Sequence, residues 1–458
     1  MDIFERSIRF LASVVWGPQT VVLLLGVGLF LTLKLRFVQM KRLGLSFRLL
    51  FSRKDLGESQ KERKGDITPF QALMTSLACT VGNGNIAGVS TAIAMGGPGA
   101  VFWMWLSAFF GMATKLVEAV LGQKYKKIAP DGTIAGGPMY YISEGLKLPW
   151  LAGIFAFFMG CKPLFATTTI QSNSIALVLK TQLGLEPWIS GLGLAIITWL
   201  VIIGGIKSIA RVTEILSPFM VFLYIFGALF TLIAFASRIP HAFSLIFVGA
   251  FKPSAIAGGV AGMTVRNAIR YGLARGAYSN EAGTGTAAVF HATARTSEPV
   301  RQGLIASLDV FIDTLIICTL TGLTVLVTGV WTEGTSTEMT AAAFNAALPR
   351  IGGLIVMASS FLFGYSSLIA VPYYGEISFS YLLGSWIRRP FRWIFCLVIF
   401  IGAVLEVEEA WSIGDVFNGM MAFTNLIGVV GLAGLAIFSV KSYLKKFDSN
   451  QKTNDFHR

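Results

Sequence analysis

The sequence predicts an all-α polytopic membrane protein of about eleven transmembrane helices. Ten of them read as two five-helix repeats of opposite orientation, and one lies outside the repeats at the N-terminus. Three observations carry that prediction. Hydrophobic residues make up 54% of the chain and charged residues only 13%, too few to cover a soluble core with polar surface. Apolar runs of the length that the bilayer core demands, about 20 residues, recur from end to end. One eight-residue motif also occurs twice, an odd number of runs apart.

The runs begin near Val14, Pro69, Ala100, Trp150, Glu186, Val212, Val265, Gln302, Ile351, Arg392 and Ile413. Residues 14–33 form the extra helix. That run lacks a small-residue cleavage site and precedes a strongly basic loop, so it reads as a retained span and not as a secretion signal. Residues 69–238 hold the first repeat, 245–440 the second, and 441–458 a tail. The loops are too short for a separate soluble unit, which makes residues 1–458 one integral-membrane domain.

Charge orients the chain. Lys and Arg crowd into alternate loops: Lys34 to Lys64, Lys124 to Lys127, Lys207 with Arg211, Arg295 with Arg301, Arg388 to Arg392, and Lys441 to Lys446. The intervening loops hold Glu333, Glu338, Glu406, Glu408 and Glu409 instead. The positive-inside rule therefore places the N-terminus outside and the C-terminus in the cytoplasm of a cell (inner) membrane. The net charge of +13 belongs to those loops and does not indicate nucleic acid.

Little in the chain suits catalysis. Cys79, Cys161, Cys318 and Cys396 stand singly in apolar runs, as do His241, His291 and His457, so neither metal-ligand spacing nor a disulfide framework emerges. No nucleophile, base and orienting group come together by motif, and an enzyme is not expected.

The repeated motif marks the unusual spans. Asn85 to Ala92 reads NIAGVSTA and Asn280 to Ala287 reads NEAGTGTA, identical at five of eight positions and 195 residues apart. Five runs separate the two copies, and an odd number inverts the second relative to the first. Around the first copy, Gly82 to Gly99 contains six glycines, where a plain span would carry Leu, Ile and Val. Gly82 and Gly84 each lower helix propensity by up to ~1 kcal/mol, and the Asn83 and Asn85 side chains compete for backbone hydrogen bonds. A break at mid-membrane frees amides on one half-helix and carbonyls on the other, which in lipid require a ligand or a cavity. Amides suit a carboxylate, and carbonyls suit an ammonium or sodium. An amino acid bears both charges. Gly88, Gly96, Gly97 and Gly99 read as helix-packing positions.

Ionisable residues inside spans are expensive and mark function. Glu281 occupies the second break, where it either supports the broken backbone or meets substrate. Asp313, ten residues beyond Gly303 and so about 15 Å along a helix, is a candidate for coupling or for pairing with Lys162. Asp309 lies one turn before it on the same face. Lys115 with Glu118, and Arg211 with Glu214, are spaced for local ion pairs. Asp415 suits a helix N-terminus. Trp103, Trp105, Trp150 and Trp188 read as an interfacial belt.

Several blocks, in order, resemble one family: VGNGNIAGVSTAIAMGGPGAVFWMW, GMATKLVEAVLGQKY, GGPMYYI, GGIKSIARVTEILSPFM, GAYSNEAGTGTAAVF, VFIDT and WSIGDVFNGMMA, within residues 68 to 430. They look like the alanine or glycine:cation symporters, the sodium:alanine symporter family. The resemblance implies a leucine-transporter-like fold of the APC superfamily and sodium-coupled symport of small neutral amino acids by alternating access. It puts substrate against Thr80, Gly82, Asn83, Gly84 and Asn85, with Gln171 and the second break at Ser279, Asn280, Glu281, Ala282 and Gly283. It puts sodium, the co-transported ion, near Thr80, Ser366 and Ser367, whose oxygens suit a hard cation.

Two departures bear on the pocket. Asn83 stands where the family has Thr, and Ala370-Val371-Pro372-Tyr373-Tyr374-Gly375-Glu376 stands where it has Gly-Trp-Ser-Tyr-Tyr-Gly-Glu. Without the aromatic at Val371 the resemblance implies a reshaped wall that admits somewhat larger or D-amino acids. A smaller departure is Ala422 to Leu426, AFTNL, in place of a Pro-Asn-Leu ending. Two rival readings stay open: a proton-coupled transporter of the same fold, in which Glu281 or Asp313 titrates, and a channel.

Overall fold

The computed structural model describes residues 3–15, 17–52, 65–129, 132–252, 264–332, 334–405 and 408–456. The basic residues between Arg53 and Lys64, and Glu333, Glu406 and His457, lie outside the described residues. Among the described residues, six helices are long and apolar enough to cross a membrane: Ala100–Lys124, Pro149–Lys180, Gly205–Ala234, Pro299–Thr328, Ile351–Leu383 and Ser412–Gly431. Their outer faces are strongly apolar. Ile215, Phe222, Phe226 and Ile233, for example, are all more than two-thirds exposed along one helix, a surface that lipid covers and water would not tolerate.

The chain opens with α1 (Ile3–Val15) and α2 (Pro18–Lys34). Pro18 starts α2, because a proline costs nothing at the first helical position, so the predicted extra helix is preceded by a second, separate one. Two short helices, α3 (Val38–Lys41) and α4 (Leu43–Phe51), follow, and then the first interrupted span: α5 (Pro69–Thr80) and α6 (Ala87–Gly96). Thr68 and Gln71 close a reciprocal capping box at the start of α5, which satisfies two orphan amides.

Next come α7 (Ala100–Lys124), α8 (Pro138–Gly145), α9 (Pro149–Lys162), α10 (Thr168–Leu183), α11 (Pro187–Ile202), α12 (Gly205–Ala234) and α13 (Ile239–Phe251). A two-residue hairpin, β1 (Lys127–Ile128) with β2 (Ile134–Ala135), joins α7 to α8. The second interrupted span is α14 (Val265–Asn280) with α15 (Thr286–Ala292). The remainder is α16 (Pro299–Val310), α17 (Thr319–Thr328), α18 (Ser336–Ala347), α19 (Ile351–Leu383), α20 (Arg388–Val404), α21 (Glu408–Gly431) and α22 (Ala433–Phe456).

The interrupted spans sit at the centre. Helix α7 packs on α14, α15 and α16, while α12 and α19 both pack on α5. Gly272 sets the α7 contact, because a methyl there would meet the Ala100 carbonyl oxygen at 2.4 Å. Two further segments depart from α geometry, a π-helical turn at Pro163–Thr167 and a longer one at Phe311–Cys318. Such wide turns commonly mark functional positions; the second lies against both interrupted spans, and Thr167 of the first lines the gap between them.

On one face the two interrupted spans are clasped. The Asp66 amide donates to the Thr293 carbonyl at 2.8 Å and the Arg295 amide to the Ile67 carbonyl at 2.8 Å. Asp66 Oδ2 also accepts from the Ile134 amide at 2.8 Å. The start of α5 is thereby tied to the chain leaving α15 and to the hairpin.

Several local expectations are corrected here. Gly97 is not a packing glycine: its φ of +77° ends α6 in a conformation that a side chain disfavours. Asp415 does not open a helix but lies well inside α21, with Arg275 and Arg270 close enough to act on its charge. Glu214 accepts from Gln71 Nε2 at 2.8 Å and not from Arg211. Trp103 and Trp105 donate inward, to the Ala250 carbonyl at 3.3 Å and Thr319 Oγ1 at 2.8 Å, whereas Trp150 and Trp188 remain more than half exposed.

Candidate functional site

The first break is built by Asn85. Its Oδ1 accepts the Gly82 amide at 2.9 Å, closing the unwound turn, while its Nδ2 donates to Asp313 Oδ1 at 2.6 Å. Its carbonyl accepts from Thr321 Oγ1 at 2.8 Å. Asn83 works outward from the same turn. It donates from Nδ2 to Gln171 Oε1 at 2.8 Å on α10 and accepts from Ser360 Oγ at 2.7 Å on α19. Gly82 lies so close to its neighbours that a Cβ would stand 3.1 Å from Ser367 Oγ and 3.2 Å from Gln171 Nε2.

The second break spans residues 281–285. Glu281, Gly283 and Gly285 all take positive φ, at 52°, 92° and 83°, which two glycines accept readily and a glutamate does not. Asn280 caps the turn through Oδ1, which accepts the Ala282 amide at 2.9 Å. The first asparagine of the repeated motif falls on opposite sides of the two breaks: Asn85 precedes α6, whereas Asn280 ends α14.

Buried charge connects the breaks. Lys115, fully buried on α7, lies 2.7 Å from Asp309 Oδ2 and donates to the Asn280 carbonyl at 2.7 Å. Asp309 also accepts from Thr80 Oγ1 at 2.7 Å and from Ser76 Oγ. Lys162 donates to Glu281 Oε1, and Thr286 Oγ1 donates to Glu281 Oε2 at 2.7 Å. Two predicted pairings are thus overturned. Lys162 pairs with Glu281 and not with Asp313. Glu118 pairs with no lysine but accepts from Asn425 Nδ2 at 2.5 Å and the Gly285 amide at 3.2 Å. Helix spacing brought Lys115 and Glu118 near each other, but burial gave each a better partner from another helix.

Asp313 sits in the π-helical turn of the span that starts with α16. It accepts from Asn85, from Ser279 Oγ at 2.8 Å and from Thr314 Oγ1 at 2.7 Å. Among the described residues it has no cationic partner. Asp309 and Asp313 both turn toward the first interrupted span, Asp309 to Thr80 at its end and Asp313 to Asn85 in its break.

A small cavity of about 20 Å³ lies between the breaks, lined by residues that include Thr80, Gly82, Gly84, Gln171, Ser279 and Glu281, with room for a single water. Lys162 and Tyr278 also line it; sequence reasoning passed over Tyr278 as a substrate contact, although GAYSNEAG places it beside the break. Of the other expected residues, Asn83, Asn85 and Asn280 stand behind the lining as braces. Gly283 packs against Leu24, which a Cβ would meet at 2.6 Å. Val371 is buried in α19 outside the lining. Ser366 and Ser367 face the first break from α19, and Ser366 Oγ donates to the Ala78 carbonyl at 3.1 Å. Thr80 does not join them through its hydroxyl, which Asp309 holds.

A profile of the sodium:alanine symporter family matches residues 1–458. The chain is 44% identical over 449 residues to the sodium/alanine symporter AgcS of Methanococcus maripaludis, covering 96% of this chain and 97% of that protein. It is 36% identical over 452 residues to YrbD of Bacillus subtilis, whose name describes a sodium/proton-dependent alanine carrier, covering 94% and 91%. Among solved structures, MhsT in complex with L-phenylalanine matches with a TM-score of 0.58 at 13% identity, covering 82% of this chain and 98% of that one. That likeness establishes the leucine-transporter-like fold.

Proposed function

The chain belongs to the sodium:alanine symporter family, and from that premise we propose that it couples sodium to the uptake of a small neutral amino acid, alanine or glycine first. The observation that carries this reading is the polar cavity between two interrupted spans, lined from both breaks and by Lys162 and Gln171. The Gly84 backbone and Gln171 Nε2 receive the substrate carboxylate, since Asn85 already holds the Gly82 amide and Asn83 holds Gln171 Oε1. The Ser279 hydroxyl faces its ammonium. Glu281 supports the second break and does not bind substrate, since Lys162 and Thr286 take its oxygens.

Sodium binds where Ser366, Ser367 and the Ala78 carbonyl meet the first break. Substrate and sodium together stabilise the closed state from which the site reopens on the other side, and neither does so alone. The clasp at Asp66, Ile67 and Arg295 lies on the cytoplasmic side in this reading and opens for release. The N-terminus lies outside and the protein resides in the cell membrane. The uncompensated Asp313 favours a second reading, in which Asp313 carries a coupling proton in place of the sodium bound by Ser366 and Ser367.

Uptake of a labelled amino-acid panel into proteoliposomes separates these. Alanine or glycine accumulates under a sodium gradient without a pH gradient if the proposal holds. Accumulation only under a pH gradient supports the second reading, and entry without accumulation indicates a channel.

A further inference from the structure

Helix α2 carries no charge until Lys34, where it ends with Leu35 as its cap. The next two residues, Arg36 and Phe37, take left-handed backbone conformations with φ of 56° and 61°, unfavourable for residues with a Cβ, and turn the chain sharply into α3. Across from this turn stands α22. Between them lies a groove of about 420 Å³, lined by Leu35 and Leu444 on its apolar wall and by Arg36, Lys41, Arg42 and Lys441. Arg42 is held by Asp448 at 2.6 Å. Arg36, Lys41 and Lys441 are exposed and, among the described residues, have no carboxylate partner.

Three uncompensated cations in one groove repel one another, and an anion relieves that repulsion. The groove also begins at the level where an apolar span gives way to charge, which is the depth of lipid phosphate groups. We propose that it binds one anionic phospholipid of the cytoplasmic leaflet. Arg36, Lys41 and Lys441 surround the phosphate, and an acyl chain runs along Leu35 and Leu444. A free anion would use the cations but not the apolar wall, and a zwitterionic lipid would use the wall but leave the cations unbalanced. The bound lipid bridges α2 to α22, so it joins the extra N-terminal helix to the C-terminal one.

The test is native mass spectrometry of the full chain in detergent, titrated with phosphatidylglycerol, phosphatidylcholine or inorganic phosphate. Phosphatidylglycerol is expected to remain bound where phosphatidylcholine does not, and inorganic phosphate is expected not to displace it. The exposed double variant R36Q/K41Q is expected to weaken phosphatidylglycerol binding on the order of 30-fold, while K207Q, in another basic loop, leaves it unchanged. Equal binding of both lipids, unchanged affinity in R36Q/K41Q, an equal loss in K207Q, or displacement by phosphate alone would each overturn the proposal.

Discussion

Asp313, like Glu118, is a buried carboxylate with no cationic partner among the described residues, and it is the one that braces both breaks. Asp309 has Lys115 and Glu281 has Lys162, whereas Asp313 is held only by neutral donors on Asn85, Ser279 and Thr314. A fixed negative charge beside both breaks favours a cation in the site. Asp313→Asn, which keeps the shape and removes the charge, should therefore raise the sodium concentration for half-maximal uptake on the order of tenfold; an unchanged sodium curve removes Asp313 from coupling. Lys115 has the opposite role. Its ammonium is committed to Asp309 and Asn280, so Lys115→Met strands a buried carboxylate and should cost about 3–5 kcal/mol of stability. Adding Asp309→Leu should recover part of that loss in thermal unfolding, because two apolar side chains replace a desolvated pair. A double variant no more stable than K115M would show that the pair is not what K115M breaks.

At the scale of elements, the breaks were the most legible feature, because glycine and asparagine act locally and their effect needs no knowledge of neighbours. The pairings were less legible. Sequence spacing predicted Lys115 with Glu118, yet α7 is buried against α16 and α21 on different sides, and each charge found its partner there. The π-helical turn at Phe311–Cys318, which holds Asp313, left no periodicity to read. Nor did the pattern announce α13, or α18, which is too short to span and holds Glu338, a residue the charge pattern assigns to a loop. Backbone demands at the second break are testable. Gly285 combines a φ of +83° with a Cβ position 2.3 Å from Pro138 Cγ, so Gly285→Ala should destabilise by about 1–3 kcal/mol. Gly153→Ala, in α9 with open space around it, should raise or preserve the unfolding temperature. Equal unfolding temperatures for the two variants would contradict the strained turn.

For the whole molecule, the arrangement places two interrupted spans at the centre of a helical shell, ties them on one face through residues 66–67 and 293–295, and leaves a polar gap between them. Fold class and the location of the gap were readable from composition, charge alternation and glycine placement. Its contracted size was not, because it depends on the Lys162–Glu281 pair and on side chains from α9, α10 and α14 meeting in three dimensions. Central to the account is joint occupancy: amino acid and sodium stabilise the same closed arrangement. The most direct measurement is the affinity of the purified protein for alanine in sodium and in potassium at equal ionic strength. Coupling requires that sodium tighten alanine binding, by roughly 5-fold to 150-fold, and that alanine tighten sodium binding by the same factor. Identical alanine affinity in the two salts would contradict it.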